Sequence, residues 1–452
     1  MLEGLAAIEW HAVGHAYGPA DDTPEHLRAL LAEDNDAFEH SLDELWASIC
    51  HQGSVYEVSC AAVPFLIEIL RHVSDNRKAR LLYLLAGLAH RDFYADRDLR
   101  ILNIGWWPIG SEQRHEWWSV GQFLADGNEF HAAQWTRLGH EQVAEGIPLY
   151  LKFLCQSDPI VTVPSLYLLS AFREAGAEVI EPVSALLEAP EIDIFVEASA
   201  LLSLGALLPE PAPHWARYET CLSPGTHPLL RYAAAATIAR YSPHLVSERI
   251  VDVLISAMVQ PEQLDELYEL LPWCNGSVHI EACWLLSRLA WPLSIPALTT
   301  ALEQGTTRWR IVDTVRVAEA ILDTAFFGSW IKDRTWSMST NDRASFGLEA
   351  MVQEMREGDR RPYSDRSYHH YGRSYVKDGS VKIVCYGYVQ DEADRLRERF
   401  AEEGGAWLST EQRQALQAIA HCEPLWTVQH DLFKIFGLPQ ELHLLQRLLG
   451  PS

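Results

Sequence analysis

Few positions in the chain combine the residue types and spacing that chemistry needs. His11 and His15 stand four apart in His11-Ala-Val-Gly-His15, the separation that puts two imidazoles on one helix face for zinc. The zinc motif of that spacing has a Glu beside its first His, where this chain has Ala12, and Gly14 weakens a helix. The pair therefore reads as surface or turn histidines. His369 and His370 lie among Tyr368, Tyr371 and Arg373, with Asp365 nearby. On a strand, successive side chains point to opposite faces, which works against shared ligation. No Gly-rich phosphate loop, Gly-x-Ser-x-Gly turn or Cys-x-x-Cys pair occurs. The expectation is a protein that is not an enzyme, with no catalytic residue, no metal and no cofactor.

Residues suited to recognition are more plentiful. Glu33, Asp34, Asp36, Glu39, Asp43 and Glu44 fall within twelve positions, and Arg28 is the one cation near them in sequence. Residues 1–60 hold twelve acidic residues and that single basic one. Over the whole chain 36 Lys plus Arg face 62 Asp plus Glu, a formal charge of −26. A surface so acidic repels phosphates and disfavours nucleic acid as the ligand. The acidic run is either a solvated helix face or a surface that steers a basic partner. Trp106, Trp107, Trp117 and Trp118 stand in a stretch rich in Gly, Asp and His. They are either binding anchors or the small core of an insertion. These ten residues are the candidate partner-binding set. Residues 361–377 interleave Arg361, Arg366, Arg373 and Lys377 with Tyr363, Tyr368, Tyr371 and Tyr375. That pattern either grips phosphates or docks on the chain's own acidic surface.

Helical grammar must position these groups. Thr23-Pro24-Glu25 predicts a helix start with Thr as cap, and Phe38, Leu42, Leu45, Trp46 and Ile49 form the stripe of a second helix. After Gly53 a third helix has Val58, Ala62, Phe65, Leu66 and Ile69 on one face. The eight Cys are scattered and read as reduced, mostly buried small hydrophobes. The start of the chain has no export signal pattern, and no apolar run approaches the roughly 20 residues a membrane helix requires. A cytoplasmic protein without membrane contact is expected.

The chain also resembles itself. Val196-Glu-Ala-Ser-Ala-Leu-Leu-Ser-Leu-Gly-Ala206 lies on Ile280-Glu-Ala-Cys-Trp-Leu-Leu-Ser-Arg-Leu-Ala290 at an offset of 84 residues, two steps of 42. Leu168-Leu169-Ser170 precedes Leu201-Leu202-Ser203 by 33. Periods of that size suit repeats of paired helices. Residues 1–90 and 146–326 follow this grammar, and 91–145 read as a Trp-rich insertion. Residues 327–452 read as a C-terminal capping region. In it Lys377-Asp378-Gly379-Ser380 between two β-rich runs predicts one hairpin. Ser409-Thr-Glu-Gln412 predicts a capping box, and its helix is expected to shield the end of the array.

Asp193-Ile-Phe-Val196-Glu-Ala-Ser-Ala200-Leu-Leu-Ser-Leu204-Gly205 resembles the first helix of a HEAT repeat of the phycobilisome-lyase-like kind, over roughly residues 25–326. Glu197 stands where that family usually has Arg, and Val315-Arg316 keeps the pair. His51-Gln-Gly-Ser-Val-Tyr56 and Ala61-Ala-Val-Pro-Phe-Leu66 are similar to bacterial HEAT-like proteins. The resemblance implies an all-α fold, an α-solenoid of HEAT-like repeats that binds a macromolecule. Its acidity is similar to that of immunity proteins, which implies neutralisation of a basic toxic effector by direct binding. The alternative it implies is a HEAT-like enzyme, a bilin lyase or a DNA glycosylase.

Overall fold

A computed structural model describes residues 2–51, 55–90, 100–102, 131–155, 158–189, 191–208, 214–268, 270–273, 277–287, 289, 291–327, 335–339, 371–377, 380–386, 390–427 and 432–450. Helices dominate, and no described helix is long and apolar enough to cross a membrane. The chain divides into two compact units. One is Met1–Leu208 with 336–362 and 373–383, and the other is Pro209–Thr335 with 363–372 and 384–452.

The first unit contains α1 (Thr23–Ala29), α2 (Asn35–Ile49), α3 (Glu57–Ile69), α4 (Asp75–Ala89), α5 (His131–Ala144), α6 (Ile147–Phe153), α7 (Pro159–Leu169), α8 (Ala177–Leu187) and α9 (Ile194–Leu207). α2 starts where the Asp34 carboxylate accepts the Asp36 N–H at 3.1 Å, and its stripe of Phe38, Leu42, Leu45 and Ile49 is fully buried. Asp22, not Thr23, flanks α1; Thr23 is its first helical residue and is buried. α4 packs on α5 and α7, and α7 packs on α9. The repeated Leu pairs lie in these contacts: Leu168, Leu169, Leu201 and Leu202 are buried. Each such side chain contributes about 1.5–3 kcal/mol of transfer free energy. Ser203, from the same repeated triplet, donates across the contact to the Leu166 carbonyl at 2.9 Å.

The second unit contains α10 (Trp215–Cys221), α11 (Pro228–Tyr241), α12 (Glu248–Val259), α13 (Asp265–Tyr268), α14 (Val278–Ser287), α15 (Trp291–Gly305), α16 (Ile311–Leu322), α17 (Gln390–Glu403), α18 (Thr410–His421), α19 (Pro424–Thr427), α20 (Leu432–Ile435) and α21 (Leu442–Leu449). α11 packs on α12 and α14, α14 on α15 and α16, and α15 on α18. Leu285 and Leu286 are buried. The capping box at the start of α18 is formed: Gln412 N–H donates to Ser409 Oγ at 3.1 Å, and Ser409 N–H donates to Gln412 Oε1 at 3.0 Å. The Gln412 amide donates a further bond to the Ala325 carbonyl at 3.0 Å, which ties α18 to the segment after α16.

The expected hairpin is present, but it is not the whole of its sheet. Strands β5 (Tyr371–Lys377) and β6 (Ser380–Tyr386) do flank residues 378–379. They belong, however, to a four-stranded sheet of order β3-β5-β6-β4, with β3 (Arg100–Leu102) and β4 (Thr335–Ser339) on its edges. β3 pairs antiparallel with β5, Ile101 opposite Tyr375. A separate two-stranded sheet joins β1 (Gly14–His15) to β2 (Gly18–Pro19). The extra edge strands come from segments far apart in sequence, where no local turn signal exists to announce them.

Candidate partner-binding face

The acidic run lies on the turn between α1 and α2 and along the outer side of α2. Glu33, Asp34, Asp36, Asp43 and Glu44 are exposed, and Glu39 is half-buried. Spacing explains the split: Phe38, Leu42 and Leu45 take the inward stripe, so 36, 43 and 44 fall outside it. Asp34 and Asp36 also lie where the helix N-terminus favours negative charge.

Arg28 is not the one cation beside them, which corrects the reading from sequence. α4 starts about 40 residues later in sequence and supplies two more. Arg77 donates to the carbonyls of Ala32, Glu33 and Asp34, the latter two at 3.1 Å, and its guanidinium lies 4.6 Å from the centre of the Phe38 ring. Arg80 donates to Glu39 at 2.9 Å and stands 3.9 Å from Asp43. Arg77 thus holds the turn through its backbone and leaves the Glu33 and Asp34 carboxylates outward. Among the described residues Glu33, Asp36 and Glu44 form no ion pair.

At the C-terminal end of α2 one of the two candidate zinc histidines, His15, is engaged in hydrogen bonds. His15 Nδ1 accepts the Tyr17 N–H at 2.9 Å, which leaves Nε2 to carry the proton toward Asp22 at 3.3 Å. Tyr17 is 66% exposed and its hydroxyl lies 3.2 Å from His51 Nδ1. His11 is exposed. Trp106, Trp107, Trp117 and Trp118 lie outside the described residues, as do His369, His370 and residues 361–370. Residues 371–377 of the basic and aromatic stretch form β5.

Two charged clusters gave no signal in the sequence. In the first unit His90, His140, Ser170 and Glu174 meet where α4, α5 and α7 converge. His90 Nε2 donates to the Tyr167 carbonyl at 2.8 Å and its ring stacks on Tyr167 at 4.4 Å. Burial, helped by the neighbouring His140 and opposed by the Tyr167 hydrogen bond, lowers the His90 pKa to about 4. His140 faces the Ala89 carbonyl at 2.9 Å on one side and the Glu174 carboxylate on the other. These residue types suggest a nucleophile with its base, but the Ser170 hydroxyl donates to the Tyr167 carbonyl at 2.6 Å and His90 donates to that same oxygen. Both protons are committed to the backbone, so the cluster ties α4, α5 and α7 together.

In the second unit the buried Glu281 accepts from Tyr232 at 3.0 Å and from Arg240. Arg240 also lies 5.4 Å from the Trp284 ring. Burial alone would lower its pKa, but Glu281, with Tyr241, Tyr268 and Tyr232, raises it above the ordinary guanidinium value. Glu281 occupies the repeat position of Glu197, where the resemblance leads one to expect Arg. Here the carboxylate sits on the later helix and the guanidinium comes from α11 before it.

No family model matches the chain, and no curated protein matches it. Among solved structures it is similar to an engineered protein, at 12% identity over 96% of this chain and 100% of that one, with a TM-score of 0.28. An overlap of that size fixes no shared fold.

Proposed function

We propose that the chain is a HEAT-like α-solenoid that binds a basic protein, acting as an immunity protein that neutralises a toxic effector by direct contact. The observation that supports this reading is the row of exposed carboxylates on the α1–α2 turn and the outer side of α2. Complementary charge raises association rates and narrows the choice of partner. The succession of α4, α7 and α9 in one unit, and of α11, α14 and α16 in the other, is what stacked helix pairs produce.

Co-expression with the product of the adjacent gene tests the reading, followed by association rates at two ionic strengths. Glu39 and Asp43 are poor choices for reversal because Arg80 stands beside both. Asp34 caps α2. Glu33→Lys with Glu44→Lys is therefore the informative variant. It should slow association about tenfold at low salt and flatten the salt dependence, with no loss of thermal stability. Unchanged rates would remove this face from the binding site. Failure of the adjacent product to form a complex would remove the reading itself.

A further inference from the structure

A surface of opposite character lies in the second unit, on the turn between α15 and α16. Residues 308–316 hold three arginines against Asp313 alone, in a chain whose formal charge is −26. Arg308, Arg310 and Arg316 are exposed. Arg310 keeps 79% of its side chain open even though Asp313 accepts from its guanidinium at 2.9 and 3.2 Å. Beside them Ile311 and Val312 are 38% and 44% exposed. They are adjacent large apolar side chains at a helix start, where a solvated first turn favours polar residues. Apolar surface rimmed by charge marks interaction sites.

The turn is also held from beneath. Trp309 donates its indole N–H to the Met258 carbonyl in α12 at 2.9 Å. Its ring meets His279 edge-on at 4.6 Å, and His279 Nδ1 donates to the same carbonyl at 3.0 Å. Gly305 makes room for this: a Cβ there would stand 2.1 Å from the Trp309 ring. A turn anchored through its one inward aromatic presents its outward side chains in a fixed arrangement, which lowers the ordering cost of binding.

We propose that this turn is a docking edge for an acidic segment of a partner protein that also carries an apolar side chain. Carboxylates of the segment pair with Arg308 and Arg310, for which the guanidinium fork is suited. The apolar side chain covers Ile311 and Val312. Charge complementarity decides the class of partner: a basic segment meets the exposed Arg308 and Arg310 here, while Asp313 holds Arg310 and Glu319 lies close to Arg316, whereas the face on α2 takes the opposite ligand. The two proposals therefore stand or fall separately.

Fluorescence anisotropy with the full chain tests it. The probe is a labelled peptide of glutamates around two leucines, with glutamate-only and lysine–leucine peptides for comparison. The glutamate–leucine peptide should bind saturably and more tightly than either of the others. Arg308→Glu with Arg310→Glu, and separately Ile311→Ser with Val312→Ser, should each weaken it about tenfold, the equivalent of about 1.4 kcal/mol. Both pairs are exposed, so an unchanged thermal midpoint confirms that folding is intact. Gly305→Ala, which alters no contact residue, should weaken binding by displacing Trp309. Absence of saturable binding, or affinity unchanged from the parent chain in either surface variant, would overturn the proposal, as would preference for the lysine–leucine peptide.

Discussion

His90 shows how a single side chain links the packing of the first unit to pH. An imidazole in the unfolded chain titrates near 6.5, and burial in the fold lowers the value to about 4. Between those limits the unfolded chain binds the extra proton, so stability is complete above about pH 6.5 and falls as pH drops toward 4. The swing is up to about 3 kcal/mol. His90→Gln can still donate to the Tyr167 carbonyl but does not titrate. Urea unfolding at pH 7 and pH 4.5 should show a difference smaller by about 2 kcal/mol in this variant than in the parent. An undiminished difference would place the acid sensitivity elsewhere. Nothing in the sequence singles out His90, because Tyr167 and His140 come from helices beyond the segment 91–130. The acidic run shows the same limit: its members were legible from composition, whereas Arg77 and Arg80, which decide which carboxylates remain unpaired, were not.

Among the elements, the repeated helices reveal both what periodicity announces and what it conceals. Leu201, Leu202, Leu285 and Leu286 are buried, as the apolar spacing along their helices predicts. The capping box of α18 was equally legible, since both of its hydrogen bonds lie within one turn. The polarity of the Arg240–Glu281 pair was not. The sequence shows a Glu where a resemblance expects Arg, and only the packing of α11 on α14 supplies its partner. Removing one member of a buried pair leaves the other charge uncompensated, so Arg240→Met should cost about 3–5 kcal/mol in chemical unfolding. Arg240→Met combined with Glu281→Leu should recover much of that loss, because an apolar pair carries no desolvation penalty. If the double variant is as unstable as the single one, the pair's value lies in its bonds to Tyr232 and the surrounding rings rather than in charge compensation.

For the whole molecule the formal charge of −26 acts as a field as well as a source of local contacts. Like charges at this density oppose compaction, and salt screens them with a Debye length of about 10 Å at 0.1 M. The thermal midpoint should therefore rise as neutral salt increases from about 0.02 to 0.3 M. A midpoint that falls would mean that the ion pairs, Arg80–Glu39 and Arg240–Glu281 among them, outweigh the net repulsion. The sequence by itself determined the helical class, the faces that are buried and the capped helix start at 410, because each depends on residues within one or two turns of one another. Only the tertiary structure decided which charges are paired, that β3 joins β5 across more than 270 residues, and that Trp309 anchors a basic turn over Gly305. Those features depend on which helices and strands become neighbours, and a pattern repeated along one chain specifies its inward faces far more strongly than the partner each face will meet.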